Sequence, residues 1–154
     1  MALNVLVIAE QADGGELKKS SREALGLDRA LVEKSGGGEV SALLVTASAG
    51  EMPQRLASFG ADRVFVLEAA ECALYQPGMF AAAGKAAVEA CQASAVLVPG
   101  SALGRDFTPR LSARLGAPAA TDCIQVDVEG GAVSALRPSY GGKIQMRVAR
   151  SEGR

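Results

Sequence analysis

Histidine is absent from this chain. That single fact excludes serine–histidine triads, cysteine–histidine pairs and every zinc motif that needs an imidazole. Tryptophan is absent too, and only two tyrosines and four phenylalanines occur in 154 residues. So thin a supply of rings argues against a base-stacking platform or a large aromatic binding face. Neither sign of charge dominates: sixteen Lys and Arg against seventeen Asp and Glu leave a formal net charge of -1. Nothing in that balance favours nucleic acid or an anionic membrane as a partner. No stretch approaches the roughly 18 uninterrupted apolar residues of a membrane span, so membrane insertion is not expected. Met1-Ala2-Leu3-Asn4 carries no basic leader, and acidic Glu10 and Asp13 follow soon after. A secretory signal is therefore disfavoured, and a cytoplasmic location in a bacterium is expected.

Cysteine is present but sparse. Cys72, Cys91 and Cys123 are odd in number and widely spaced, unlike a disulfide framework or a metal site. They read as free thiols behaving as small apolar residues in a reducing compartment. Apolar residues make up 49% of the chain and charged ones 21%, a globular composition. The length suffices for one domain that needs no staple.

Leu3 to Ala9 is almost continuously apolar and suits a strand covered on both faces. A helix is predicted from Ser20 to about Lys34, with Ser20 and Glu23 at capping-box spacing. Its expected apolar face is Ala24, Leu27 and Leu31, widened by Leu25 and Val32, and Gly36-Gly37-Gly38 should end it. Val40 to Val45 reads as a second strand. Pro53 opens a short helix that stops before Gly60, and Arg63 to Leu67 gives a third strand. Pro77 suits the first turn of the next helix, along which Phe80, Ala83, Ala87 and Cys91 recur at helical spacing. Ala95 to Val98 is the fourth strand. Strand and helix alternate over connections long enough for crossovers, so a mostly parallel sheet built from right-handed β-α-β units is predicted. The tail differs. Cys123 to Val128, Val133 to Pro138 and Ile144 to Val148 read as shorter strands, separated by glycine turns, in an antiparallel extension.

The segment after the fourth strand, from Pro99 to Leu111, is the leading candidate site. Ligands of open α/β sheets gather at the carboxyl ends of strands, and a helix start favours anions. Gly100 and Gly104 allow close backbone approach, and Ser101 and Arg105 offer polar contacts. The alternative is purely structural: the glycines and serine shape a turn, and Arg105 pairs with a nearby carboxylate. Leu103, Phe107, Leu111 and Leu115 form a stripe better suited to core packing than to a cofactor. Neither G-x-G-x-x-G nor G-x-x-x-x-G-K-[ST] is matched. Asp122 reads as a cap or a tie for the preceding loop, and Asp13 as an ordinary turn residue. Arg110 and Arg114 share a helix face whose default reading is solvation. No catalytic residue and no metal site emerge.

Three ordered segments carry a resemblance. They are Gly104-Arg105-Asp106-Phe107-Thr108-Pro109-Arg110-Leu111-Ser112-Ala113-Arg114-Leu115-Gly116, then Ala119-Ala120-Thr121-Asp122-Cys123, then Arg137-Pro138-Ser139-Tyr140-Gly141-Gly142. With the opening Asn4 to Glu10, they resemble the amino-terminal domain of the electron transfer flavoprotein α subunit over nearly the whole chain. Lys143 departs from the asparagine frequent there. The resemblance implies a three-layer α/β/α, Rossmann-like fold of the adenine nucleotide alpha hydrolase type, with residues 1–150 as the domain and 151–154 as a tail. It also implies a heterodimer with a β subunit, in which FAD takes electrons from dehydrogenases and passes them to a downstream acceptor. Most FAD contacts in that family lie in a carboxyl-terminal half missing from these residues. This chain alone is therefore expected to bind FAD poorly, to be redox-inactive and to be a carrier subunit rather than an enzyme. A small adenine-nucleotide-binding or regulatory module is the alternative.

Overall fold

The computed structural model describes residues 2–149; the tail assigned to 151–154 lies outside them. Its first strand, β1 (Val5–Ala9), is buried at every position. Val5, Val7 and Ala9 enter one core and Leu6 and Ile8 another, because successive side chains leave a strand on opposite faces. The run is therefore apolar throughout, as a strand covered on both sides must be. Strand β2 (Val40–Thr46) is buried in the same way. With β3 (Arg63–Glu68) and β4 (Ala95–Leu97) it completes a four-stranded parallel sheet in the order β3-β2-β1-β4.

Helices α1 (Lys19–Lys34) and α2 (Met52–Ser58) cover one face of that sheet through Leu25, Leu31, Val32, Met52 and Leu56. Helices α3 (Pro77–Cys91) and α4 (Ala102–Leu115) cover the other through Phe80, Ala87, Cys91, Phe107 and Leu111. The result is the three-layer α/β/α arrangement. Pro53 and Pro77 both stand in the first turn of their helices. A short 3-10 turn, Ala70–Ala73, links β3 to α3.

Strands β5 (Gln125–Glu129), β6 (Ala132–Ser139) and β7 (Ile144–Ala149) form the antiparallel extension as a separate sheet. Val128 is buried in the α1-side core, with Val126 and Val133 packed against it. Lys34 Nζ donates to Asp127 Oδ1 at 2.5 Å, tying the end of α1 to β5.

Two sequence expectations for α1 require correction. The helix starts at Lys19 with Lys18 as its N-cap, and no side chain caps it. The Lys18 carbonyl accepts from the amides of Ser21 and Arg22, while Glu23 pairs with Lys19 instead of closing a capping box. Ser21 decides the register: it is fully buried, and its hydroxyl accepts from the Glu10 amide at 2.8 Å. The buried stripe is Ser21, Leu25, Asp28 and Val32, with Leu31 beside it, whereas Ala24 and Leu27 are only partly buried. A polarity pattern rejects Asp28 from a core face; the structure places it there with no exposed surface.

Gly38 ends the α1–β2 connection at φ +143, and a Cβ there would run into the carbonyl of Leu3. Only glycine allows the chain to pass the entrance of β1 so closely.

Candidate functional site

The chain leaves β1 toward β2 and β3 on one side, then returns through α3 to place β4 on the other. The carboxyl ends of β1 and β4 therefore flank the point where strand order reverses, which is where open α/β sheets hold their ligands. Two groups meet there from distant parts of the sequence. Glu10 follows β1 directly, and Ser101 opens α4.

Ser101 is the N-cap of α4. Its Oγ accepts from the amide of Gly104 at 3.0 Å and donates to Glu10 Oε1 at 2.5 Å. The second carboxylate oxygen of Glu10 accepts from Lys18 Nζ at 3.0 Å, with the Glu10 side chain almost wholly buried. A serine hydroxyl has one proton and lone pairs to spare, so Ser101 can serve the helix and the carboxylate together. The position at which a helix start favours negative charge is thus supplied from within the chain, by Glu10.

Of the other residues read from the sequence as candidates, Gly104 is buried in the first turn of α4. A Cβ on it would collide with the carbonyl of Pro99. Gly100 is exposed on the rim with open space around it. Arg105 points away from Glu10 and pairs with Asp122 at 3.0 Å. That pair fits the structural alternative for Arg105 and the loop-tying role for Asp122, whose backbone adopts φ +55. Asp13, Arg110 and Arg114 are exposed. Phe107 and Leu111 are buried, with Leu103 and Leu115 packed beside them, so the α4 stripe is core.

A second polar contact braces the same helix. Tyr75 donates to Asp106 Oδ2 at 2.7 Å, and its ring meets Phe80 edge-on, 5.2 Å between centroids. Burial, reinforced by the hydrogen bond to Asp106, pushes the Tyr75 hydroxyl up to about 12. Sequence reasoning missed both Glu10 and the Tyr75–Asp106 pair. A carboxylate directly after a fully apolar strand was the one available signal for Glu10; Tyr75 gave none.

The three cysteines are free, and burial raises the Cys123 thiol. Among the described residues no group of three or more His, Cys, Asp or Glu is placed to hold a metal, and no helix is long and apolar enough to cross a membrane. A hollow of about 400 Å³ on α2 is lined by Glu51, Gln54, Arg55 and Ser58. In the Arg137-Pro138-Ser139-Tyr140-Gly141-Gly142 segment, Tyr140, Gly141 and Gly142 all take positive φ to turn β6 into β7. Tyr140 is left 77% exposed.

A parallel sheet with helices on both faces and a strand-order reversal beside a helix start defines a doubly wound, Rossmann-like α/β domain. The electron transfer flavoprotein domain model matches residues 5–153, and the chain belongs to that family. It is 32% identical over 152 residues to "Electron transfer flavoprotein subunit alpha" of Bacillus subtilis, covering 99% of this chain and 46% of that protein. The protein of the same description from Clostridium acetobutylicum is 33% identical over 97% of this chain and 45% of its own length. "Protein FixB" of Clostridium saccharobutylicum is 34% identical with the same coverage of each. The chain spans about half the length of the curated relatives it matches.

Proposed function

We propose that these residues form the amino-terminal supporting domain of an electron transfer flavoprotein α subunit, and that it works with a β subunit in the bacterial cytoplasm. The complex carries FAD, takes electrons from dehydrogenases and hands them to a downstream acceptor. The observation that carries this reading is the family match across the whole domain, antiparallel sheet included. Residues 1–150 act as the structural unit, a carrier component without a catalytic centre of its own.

The residues present do not fit FAD. At the strand-order reversal a buried carboxylate, held by Ser101 and Lys18, stands where a pyrophosphate would need hydrogen-bond donors. The only basic group on Glu10 is already paired with it. A flavin also needs a long, largely apolar cleft, whereas the α2 hollow is lined by polar and charged side chains. FAD binding therefore falls to parts of the complex outside this domain. The work of this chain is to present a rigid α/β body against which those parts are positioned.

The test is to purify the chain alone and together with the β subunit encoded in the same genome. The lone chain should be colourless and redox-inactive, and should form a one-to-one complex with the β subunit. Stoichiometric flavin retained by the lone chain, with electron exchange, would overturn the reading. The strand-order reversal favours one alternative, an adenine-nucleotide module using Gly100, Ser101, Gly104 and Arg105. Calorimetric binding of AMP or ATP, lost in Ser101→Ala or Arg105→Ala, would support that module instead.

A further inference from the structure

The β5-β6-β7 sheet has two unlike faces. Side chains directly opposite in an antiparallel pair share a face, and successive residues alternate between faces. Val128 pairs with Val133, Val126 with Ala135, and Arg137 with Met146, which puts these six on one side. Ser139 and Ile144 pair two residues further along the same face. Asp127, Gln145 and Arg147 belong to the other.

Only the inner half of the first face is covered. Val128 and Ala135 are buried, and Val126 and Val133 pack against the core beneath α1. Further out, Ile144 is 50% exposed and Met146 41%, and Ile124, just ahead of β5, is 58% exposed. An apolar surface continuous with a core and open at its outer half is characteristic of a contact surface.

Arg137 sits at the boundary between the two halves. Its Nε is buried and has no hydrogen-bond partner among the described residues. A buried donor left without an acceptor is unfavourable, and an acceptor brought from outside removes that penalty. The paired positions of this face hold no Asp or Glu. A second copy packed about a two-fold axis would bring another Arg137 and no carboxylate, so self-association leaves the guanidinium unmatched.

We propose that this face docks a different polypeptide, one that brings an apolar patch over Ile144 and Met146 and a carboxylate that accepts from Arg137. The inference rests on the pairing reading above, which makes the β subunit the occupant. Charge complementarity selects the partner: the face offers an unsatisfied cation set in apolar surface, and complementary potentials exclude like-charged surfaces.

The test is calorimetric titration of the β subunit into the wild-type chain and four variants, each first shown to keep its melting temperature. Ile144→Glu and Met146→Glu should each weaken binding by roughly tenfold or more. Arg137→Ala should weaken it by roughly 30-fold or more, the loss expected when one partner of a buried charged pair is removed. Arg147→Glu, on the opposite face, should leave it unchanged. Wild-type binding with all four variants equally tight would overturn this surface while sparing the pairing reading. No binding by the wild type would overturn both. Micromolar self-association in sedimentation, abolished by Ile144→Glu, would make a second copy the occupant and refute the proposal.

Discussion

Asp28 is a carboxyl group with no exposed surface, and neither of its oxygens has a hydrogen-bond partner among the described residues. Burial alone pushes it from 3.8 up to about 8. In the folded protein at pH 7 it therefore holds its proton, while in the unfolded chain it is ionised. Where the unfolded state binds fewer protons than the native state, stability falls as pH rises. The Asp28 penalty is thus absent below the ordinary carboxylate range, grows from about pH 4 toward pH 8, and is constant above that. Just over three pH units separate 3.8 from neutrality, each worth about 1.4 kcal/mol, so the group costs about 4 kcal/mol at pH 7. That is a large part of the roughly 5–15 kcal/mol that holds a domain folded.

Asp28→Asn keeps the shape of the protonated acid and removes its titration. Its stability advantage over the wild type, from urea unfolding at several pH values, should grow by about 4 kcal/mol between pH 4 and pH 7. Parallel pH profiles for the two proteins would refute the reasoning, because they would mean that Asp28 stays ionised in the fold and has a partner there.

Three further outcomes follow from the geometry. Gly104→Ala forces a Cβ onto the Pro99 carbonyl, a backbone atom that cannot step aside, and should cost about 1–3 kcal/mol in chemical unfolding. Asp62 accepts from the Val40 amide and from Arg29, and these contacts outweigh burial to hold its carboxyl below the ordinary value. Asp62→Asn should therefore destabilise by about 1 kcal/mol near neutrality. That difference should disappear as pH falls through the native carboxyl's lowered range, as unfolding at pH 2 to 3 would show. Ser101→Ala removes the α4 cap and the proton given to Glu10, and should lower stability by about 0.5–2 kcal/mol in the same assay.

The parallel sheet was legible because burial on both faces writes itself into composition. Val5 to Ala9 and Val40 to Val45 admit few polar residues, and Pro53 and Pro77 mark helix starts by their missing amide hydrogens. Glycine turns likewise announced the antiparallel strands. The misreadings share one origin, tertiary hydrogen bonding that local pattern does not encode. Ser21 is claimed by Glu10, so the start of α1 shifts and the Ser20–Glu23 box never forms. Ser101 was singled out correctly as the residue at the strand-order reversal. Its carboxylate partner stands 91 positions away, and no spacing rule joins them. Asp28 was invisible for the opposite reason, since amphipathic pattern assigns a carboxylate to solvent.

The contact between Glu10 and Ser101 bears on the order in which the chain assembles. Neither residue can find the other until β2 and β3 have been laid on one flank of β1 and the chain has returned to lay β4 on the opposite flank. Closing so long an interval costs chain entropy that only the intervening packing offsets. The clasp is a seal set on a finished sheet and cannot serve as the nucleus around which the sheet forms. A nascent chain that has not yet released α4 carries Glu10 at a half-built edge, with Lys18 as its only side-chain companion.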